Sequence, residues 1–547
     1  MRRVTDAPAR SPWPRLLLAG GAGAIMALGA PPTDLWPLVW VGLGLFAWTL
    51  ADVGPDAPPA RGGRVRRALE GGLRGLLFGT VVNVMVLRFV PKVIVRFTPL
   101  PWAAGALALV LLAASEGLRW SAAGIAFARL ARLGVPRWIA FAAAVWLGSF
   151  VPVIFPWNVA GGLSPWPELV QLADLVGERG VTALVAAAAG LGADAALLLV
   201  DATTRRRGAM LLASALGLPA LMFAHGALRM RGVEAAARGA PRAKVALVQP
   251  STEARERWEE SRGPGIVAKL GDLTRRAEKN GAELVVWPEA AYPYPVSAAS
   301  KTDLFGSFAI LQPGVRGPVL TGLIMRAPDD SGSYNSAVVV ENGRLSAPYH
   351  KVHLLWFGET VPFADLSPWV RRTFARGTGL LPGEGSVILP ALGGRVRAAV
   401  LNCFEDTLPH AGREAFDGQR PNLLVNITND AWFYETAESE LHLRMGAMRA
   451  IELRRDLVRA VNRGPTTWVD ASGRVRARYD LDVPGSVIAE PALLEWEPTV
   501  FCRAGELPML ALLSAACGAL AWRHKKRRAP GPEDRAPDAE ARSGEDA

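Results

Sequence analysis

The sequence predicts a polytopic α-helical membrane bundle followed by a large α/β domain, and three observations carry that prediction. Of the 547 residues, 50% are hydrophobic and only 20% are charged, with a mean hydropathy of +0.19. A chain so apolar is neither an ordinary soluble protein nor a disordered one. Charged residues vanish over long windows in the first 228 residues and again near the end. From Arg229 to about Arg503 the pattern turns to short β-rich runs separated by helical stretches, which is how an α/β domain reads. The expected organisation is therefore a bundle over 1–228, a globular domain over 229–503, and a last span with its basic flank over 504–528. The Pro/Asp/Glu/Arg-rich segment 529–547 is expected to be a disordered tail.

Windows 16–33, 35–50, 97–115, 138–167 and 208–224 carry no charge. Window 75–87 is bounded by Arg74 and Arg88, and 181–200 is interrupted only by Asp194. A spanning helix needs about 20 apolar residues. The last two windows qualify if their arginines snorkel or Asp194 faces the bundle interior, which makes seven expected spans. Segment 507–522 is an eighth, closed by the basic run Arg523-His524-Lys525-Lys526-Arg527-Arg528. A cleavable signal peptide is the weaker reading of the first window, because it runs through Pro31-Pro32 straight into more apolar chain with no small-residue cleavage site.

Short loops with an arginine excess mark the cytoplasmic side. Arg2, Arg3, Arg10 and Arg15 precede the first span; Arg61, Arg64, Arg66 and Arg67 follow the second; Arg129, Arg132 and Arg137 the fourth; Arg205, Arg206 and Arg207 the sixth. Both termini are expected inside and the globular domain outside. The net charge of +11 follows from this topology and calls for no nucleic-acid partner.

In the outside domain the expected strands are 244–249, 283–287, 319–323, 337–340, 397–402, 422–427 and 457–461, with an amphipathic helix over 255–280 between the first two. Near-continuously apolar strands alternating with helices indicate a sheet covered on both faces or packed on a second sheet. Three cysteines, Cys403, Cys502 and Cys517, make neither a disulfide framework nor a zinc site.

Cys403 follows strand 397–402 directly, and a nucleophile at a strand-to-helix turn projects over the sheet edge. On position alone, a single buried cysteine is more often a small core residue. Two further features point to chemistry. Strand 283–287 ends in Pro288-Glu289, a carboxylate where open α/β sheets place their sites. Lys351, in Tyr349-His350-Lys351, is followed by an apolar loop containing Glu359. A glutamate, a lysine and a cysteine at strand ends could act as base, oxyanion stabiliser and nucleophile.

Trp287-Pro288-Glu289-Ala290, Tyr349-His350-Lys351 with the loop from Phe357 to Phe363 (FGETVPF), and Asn402-Cys403-Phe404-Glu405 resemble, in order and spacing, the three motifs of the carbon–nitrogen hydrolase (nitrilase) superfamily. The helical bundle, the C-terminal span, Ser333-Tyr334-Asn335-Ser336 and Thr428-Asn429-Asp430-Ala431-Trp432-Phe433 are similar to its membrane branch, the apolipoprotein N-acyltransferases. The resemblance implies an αββα sandwich with a Glu289-Lys351-Cys403 triad, in a bacterial inner membrane with the catalytic domain on the periplasmic side. Glu359, Glu405, Asn335, Phe404, Trp432 and Phe433 match supporting or substrate-binding positions. Phe404 stands where the family often has tyrosine, and Tyr434 where glycine commonly follows the Trp-Phe pair.

The implied reaction moves a fatty acyl chain from a phospholipid, through a cysteine thioester, to the α-amine of a diacylglyceryl-modified apolipoprotein, with no metal or cofactor. Its partners are then the phospholipid acyl donor, the apolipoprotein and membrane lipid. Other readings are a membrane-tethered amidase or nitrilase acting on small carbon–nitrogen substrates, and a transporter or receptor whose outside domain only binds ligand. His350 and His353 lack a third metal ligand in sequence. His442 could pair with Cys403 as a dyad, but the resemblance assigns the base to glutamate. The GxSxG and P-loop motifs are absent.

Overall fold

A computed structural model describes residues 13–53, 63–253, 256, 259–356, 358–361 and 379–528. Arg2, Arg3, Arg10 and Arg61 of the basic loops, Arg255 at the start of the expected helix, Phe357, Pro362 and Phe363 of the apolar loop and the tail 529–547 lie outside the described residues.

The apolar windows become helices. Among the described residues, four are long and apolar enough to cross a membrane: Val65–Val86, Trp102–Arg132, Ala173–Leu199 and Arg205–Ala237. Shorter apolar helices occupy Trp13–Ala27, Leu38–Thr49 and Arg137–Gly148, and the 22-residue helix Leu507–Arg528 is apolar only over Leu507–Ala519. The helices differ from the charge-free windows at their ends. The third begins at Gly63 and takes Arg64, Arg66 and Arg67, expected in a loop, into its first turns. Window 138–167 is helical only to Gly148. Pro152 and Pro156 cannot continue a helix, and the chain there is irregular up to a short helix at Val159–Gly162.

Close packing in the bundle depends on small residues, as expected where lipid is as apolar as the side chains. A Cβ on Gly75 would lie 2.0 Å from the Trp120 carbonyl oxygen, and one on Gly124 2.1 Å from that of Gly71, so the 63–86 and 102–132 helices touch through glycine. Phe46 and Phe78 stack at 4.3 Å beside Trp120.

After the bundle, β1 (Val245–Gln249), β2 (Leu284–Val286), β3 (Val296–Ser297), β4 (Val319–Arg326), β5 (Ser333–Glu341), β6 (Arg344–Leu345) and β7 (Tyr349–His350) build one sheet. A second sheet holds β8 (Ile388–Ala391), β9 (Val396–Asn402), β10 (Leu423–Thr428), β11 (Leu457–Val461), β12 (Thr466–Val469) and β13 (Val475–Tyr479). The chain then returns as β14 (Gly485–Ala489) to pair antiparallel with β1. The centre of each sheet is parallel, β1-β2-β4 and β9-β10-β11.

Alternate residues explain the layering. Val245, Leu247, Leu284, Val286 and Leu320 of the first sheet meet Ala398, Val400, Val425, Ile427 and Val458 of the second in one core. The outward set, Ala246, Val248, Val285 and Val319, packs on Ile266, Val267 and Leu270 of the Gly263–Lys279 helix. On the other side Ala399, Leu424 and Leu457 pack on Leu443, Ala447 and Ala450 of the Glu438–Leu453 helix. The domain is thus an αββα sandwich.

The 438–453 helix is also the main seam with the bundle. Arg449 pairs with Glu178 at 2.6 Å, Arg454 with Asp174 at 2.8 Å and Arg444 with Asp34 at 2.6 Å. The first two pairs are buried, where removing one partner strands a charge away from water. The site-bearing sandwich therefore does not hang loosely from the bundle.

Candidate active site

Each candidate residue sits where a strand or short turn delivers it. Trp287, buried at the end of β2, donates from Nε1 to Thr274 Oγ1 at 2.9 Å, and Pro288 then turns the chain so that Glu289 stands over the sheet edge. The neighbouring strand accommodates this turn with a glycine: a Cβ on Gly322 would lie 2.7 Å from Glu289 Cα. Lys351 follows β7 directly and is 1% exposed. Cys403 follows β9 with φ of +54°, a left-handed conformation that a non-glycine residue holds only when its surroundings over-determine it.

That over-determination is visible around Asn402 and Glu405. They form a reciprocal capping box on the turn Cys403–Thr407. Glu405 is fully buried and accepts hydrogen bonds from Tyr349 Oη at 2.6 Å, the Val352 and His353 amides at 2.8 and 3.0 Å, and the Asn402 amide at 2.8 Å. One carboxylate thus ties the Lys351 loop to the Cys403 turn.

Glu289, Lys351, Glu359 and Asn335 form a single network. Lys351 Nζ lies 2.7 Å from Glu359 Oε2 and 3.7 Å from Glu289 Oε1. Asn335 Nδ2 donates to Glu289 Oε1 at 2.7 Å and Glu359 Oε1 at 2.8 Å, and its own Oδ1 accepts from Asn402 Nδ2 at 3.0 Å. The Asn429 amide donates to Glu289 Oε2 at 3.0 Å. Burial alone would lower the Lys351 pKa, but Glu359, with Cys403, Glu289 and Glu405, outweighs it and keeps the ammonium charged. Burial would raise the Glu359 pKa, but Lys351 together with the hydrogen bonds from the Leu355 amide and Asn335 outweighs it and holds that carboxylate ionised.

Burial raises the Cys403 thiol pKa well above its ordinary value, Glu289 raises it further, and Lys351 opposes both. The resting sulfur is therefore a thiol, and it would need a base to act as a nucleophile.

Trp432 and Phe433 lie on the short turn Asp430–Phe433 and face the bundle. Their rings meet Phe97 at 4.3 Å and Phe89 at 5.4 Å, at the ends of the short helix Val90–Phe97. Lys92 of that helix pairs with Glu435 at 2.8 Å, and Arg96 lies 5.9 Å from the Tyr434 ring. Phe404 is partly buried, and Trp356 of the apolar loop is 56% exposed.

The other residues weighed in the sequence stand apart. His350 stacks on Tyr334 at 4.1 Å, while His353 pairs with Glu414 at 2.9 Å and packs on His410. Those three could gather round a cation, as could Asp430, Glu438 and His442. Cys502 is buried under the second sheet, and Cys517 packs near Trp146 in the bundle. The sequence motifs include Asn402, Tyr349 and Asn429 without giving them a role, and Asn426 lies outside them; of these only Asn402, three residues before Glu405, leaves a local signal of its role.

The buried group around His442 gives a pH prediction. Burial opposes charge on His442, but Asp406 and Asp430 outweigh it and raise its pKa to about 10. Burial and Asp430 raise Glu438 to about 8. Both groups bind a proton more tightly when folded, so each contributes stability at low pH that is lost as pH rises. For Glu438 the loss spans about 4.5 to 8, and for His442 about 6.5 to 10. The melting temperature in detergent is expected to fall from pH 5 to pH 10, with the fall below about pH 8 reduced in Glu438→Gln but not abolished, because burial also raises Glu452 to about 8. A melting temperature flat across that range would contradict this.

Residues 22–191 match the family model described as the apolipoprotein N-acyltransferase N-terminal domain, and residues 244–499 match that of the carbon-nitrogen hydrolases. The apolipoprotein N-acyltransferase of Bradyrhizobium diazoefficiens is 31% identical, with 95% of this chain and 96% of the relative covered. That of Rhodopseudomonas palustris is 29% identical over 92% and 94%, and that of Pseudomonas syringae pv. tomato 30% identical over 96% and 100%.

Proposed function

The chain belongs to the apolipoprotein N-acyltransferase family, and on that premise we propose a ping-pong transfer of one fatty acyl group from a phospholipid, through a thioester at Cys403, to the α-amine of a diacylglyceryl-cysteine. Glu289 takes the Cys403 proton as sulfur attacks the ester carbonyl. Lys351 Nζ and the backbone N–H of Phe404 receive the oxyanion. On collapse the carbon–oxygen bond to glycerol breaks, Glu289 returns the proton to the departing oxygen, and a lysophospholipid leaves. The incoming neutral amine then attacks the thioester, Glu289 accepts its proton and passes it to the departing sulfur as the carbon–sulfur bond breaks, which restores the thiol and the carboxylate.

The observation that carries this reading is the buried network in which Glu289, Lys351, Glu359 and Asn335 converge beside a cysteine in a left-handed turn. Glu359 supplies the counter-charge that leaves Lys351 charged without consuming Glu289.

An amine must win over water at the thioester, so the acyl chain has to be kept dry. Trp432 and Phe433 against Phe97 and Phe89 supply an apolar wall, and each buried methylene contributes about 0.8 kcal/mol. In this reading 1–228 and 504–528 anchor the chain in a bacterial inner membrane. The 229–503 domain is periplasmic and both termini are cytoplasmic, following the arginine distribution.

Initial rates with both substrates varied test the mechanism: parallel double-reciprocal lines are expected, and intersecting lines would contradict the acyl-enzyme. Lys351→Met should lower kcat about 10²–10³-fold through the lost oxyanion partner. It should also lower stability by about 3–5 kcal/mol, because Glu359 loses its buried cation; activity assays and thermal melting in detergent read the two effects separately.

A further inference from the structure

His442 does not use the thiol as a hydrogen-bond partner; its ring is directed at the Cys403 main chain. Nε2 lies 3.3 Å from the Cys403 carbonyl oxygen and 2.9 Å from Asp406 Oδ1, and Nδ1 lies 3.2 Å from Asp430 Oδ1. With acceptors at both nitrogens, both carry protons, in keeping with the raised pKa described above. The same carbonyl accepts a second hydrogen bond from Asn426 Nδ2 at 3.0 Å, and that amide also donates to the Leu401 carbonyl at 2.8 Å. The charged groups facing His442 are Asp406 on the Cys403 turn, Asp430 on the Trp432 turn, Glu438 on its own helix and Arg459 on β11, which pairs with Asp406.

A trans peptide fixes what this clamp does. The carbonyl of one residue and the N–H of the next point in opposite directions across a rigid plane, so holding the Cys403 carbonyl against His442 and Asn426 turns the Phe404 N–H the other way. Phe404 is the second residue of a 3₁₀ turn, and an N–H in the first turn has no carbonyl partner within the helix. It is an available donor one residue from the sulfur.

We propose that His442, with Asn426, is a positioning residue of acyl transfer: by holding the Cys403 carbonyl it aims the Phe404 N–H at the carbonyl oxygen that becomes an oxyanion. The proposal rests on the reading of Cys403 as the acyl-accepting nucleophile. It assigns His442 neither the role of base nor that of metal ligand.

The test uses the full-length protein in phospholipid–detergent micelles. It compares single-turnover thioester formation, followed by intact mass, with alkylation of Cys403 by iodoacetamide, which needs no oxyanion donor. His442→Leu should slow acylation about 100-fold, the scale of one lost oxyanion donor. Alkylation should stay within about threefold, and KM for phospholipid within about twofold. His442→Gln, which returns an N–H near the place of Nε2, should recover about tenfold of the loss. Asn426→Leu, which leaves the His442 charge cluster intact, should slow acylation about tenfold and keeps the question open to test if His442→Leu does not fold. Acylation and alkylation falling together in these variants, or acylation unchanged in all of them, would overturn the proposal. A wild-type protein that is alkylated but forms no thioester would overturn the acyl-transfer reading itself, and this one with it.

Discussion

Cys403→Ala is expected to lower lipoprotein N-acylation by about 10⁶-fold, the scale of removing a covalent nucleophile, while leaving the melting temperature close to that of the wild type. The two halves of this expectation have separate physical grounds. Chemistry fails because no other thiol is near: Cys502 lies under the second sheet and Cys517 in the bundle. The fold survives because the hydrogen bonds of the site pass through Glu289, Asn335, Asn402 and Glu405 and not through the Cys403 sulfur. Transfer of a labelled acyl chain to a diacylglyceryl-cysteine peptide, beside a melting curve, checks both. Acylation within a hundredfold of the wild type would contradict the role given to the thiol.

Glu289→Gln carries the second largest effect, about 10⁴-fold, at the upper end of what a general base contributes. An amide is nearly the same shape but cannot take the thiol proton. It also cannot reproduce the two acceptor oxygens, since Asn335 Nδ2 and the Asn429 amide both donate to Glu289, so one of them must face an NH₂ group. Lys351 keeps Glu359 at 2.7 Å as its counter-ion, which preserves the fold. The Glu289 carboxylate raises the Cys403 pKa, so the variant should show thiol alkylation beginning at lower pH even as acyl transfer falls. Alkylation pH profiles of wild type and variant test this sign. A shift of the profile to higher pH in Glu289→Gln would mean that the carboxylate does not face the thiol.

Much of the site was legible because its residues adjoin strand ends that the sequence marks plainly. Runs 244–249, 397–402 and 457–461 correspond to β1, β9 and β11; Lys351 and Cys403 follow strands directly, and Glu289 comes three residues after β2. Strands β12 and β13 were not read because Thr466–Val469 is short and Val475–Tyr479 alternates Arg476 and Arg478 with Val475, Ala477 and Tyr479 at a largely exposed edge, without the continuous apolar run of a central strand. The bundle was legible as apolar windows but not in its helix ends, since Arg66 and Arg67 belong to the first turns of a helix while reading as loop.

Contacts across the chain left no local trace. Phe89 and Phe97 reach Phe433 and Trp432 more than 300 positions away, and Arg449 and Arg454 find Glu178 and Asp174 in the bundle. The role of Glu405 was similarly hidden. Its position beside Cys403 could be read, but not that it gathers donors from Tyr349, Val352 and His353. In each case the partner is chosen by the fold, and no periodicity or spacing in the sequence encodes it.

The covalent intermediate is the central claim, and intact mass tests it most directly. Purified wild type incubated with phospholipid and no acceptor should gain one fatty acyl group, labile to hydroxylamine, lost on adding a diacylglyceryl-cysteine peptide, and absent in Cys403→Ala. An unmodified mass in wild type that nonetheless acylates the peptide would contradict the thioester route.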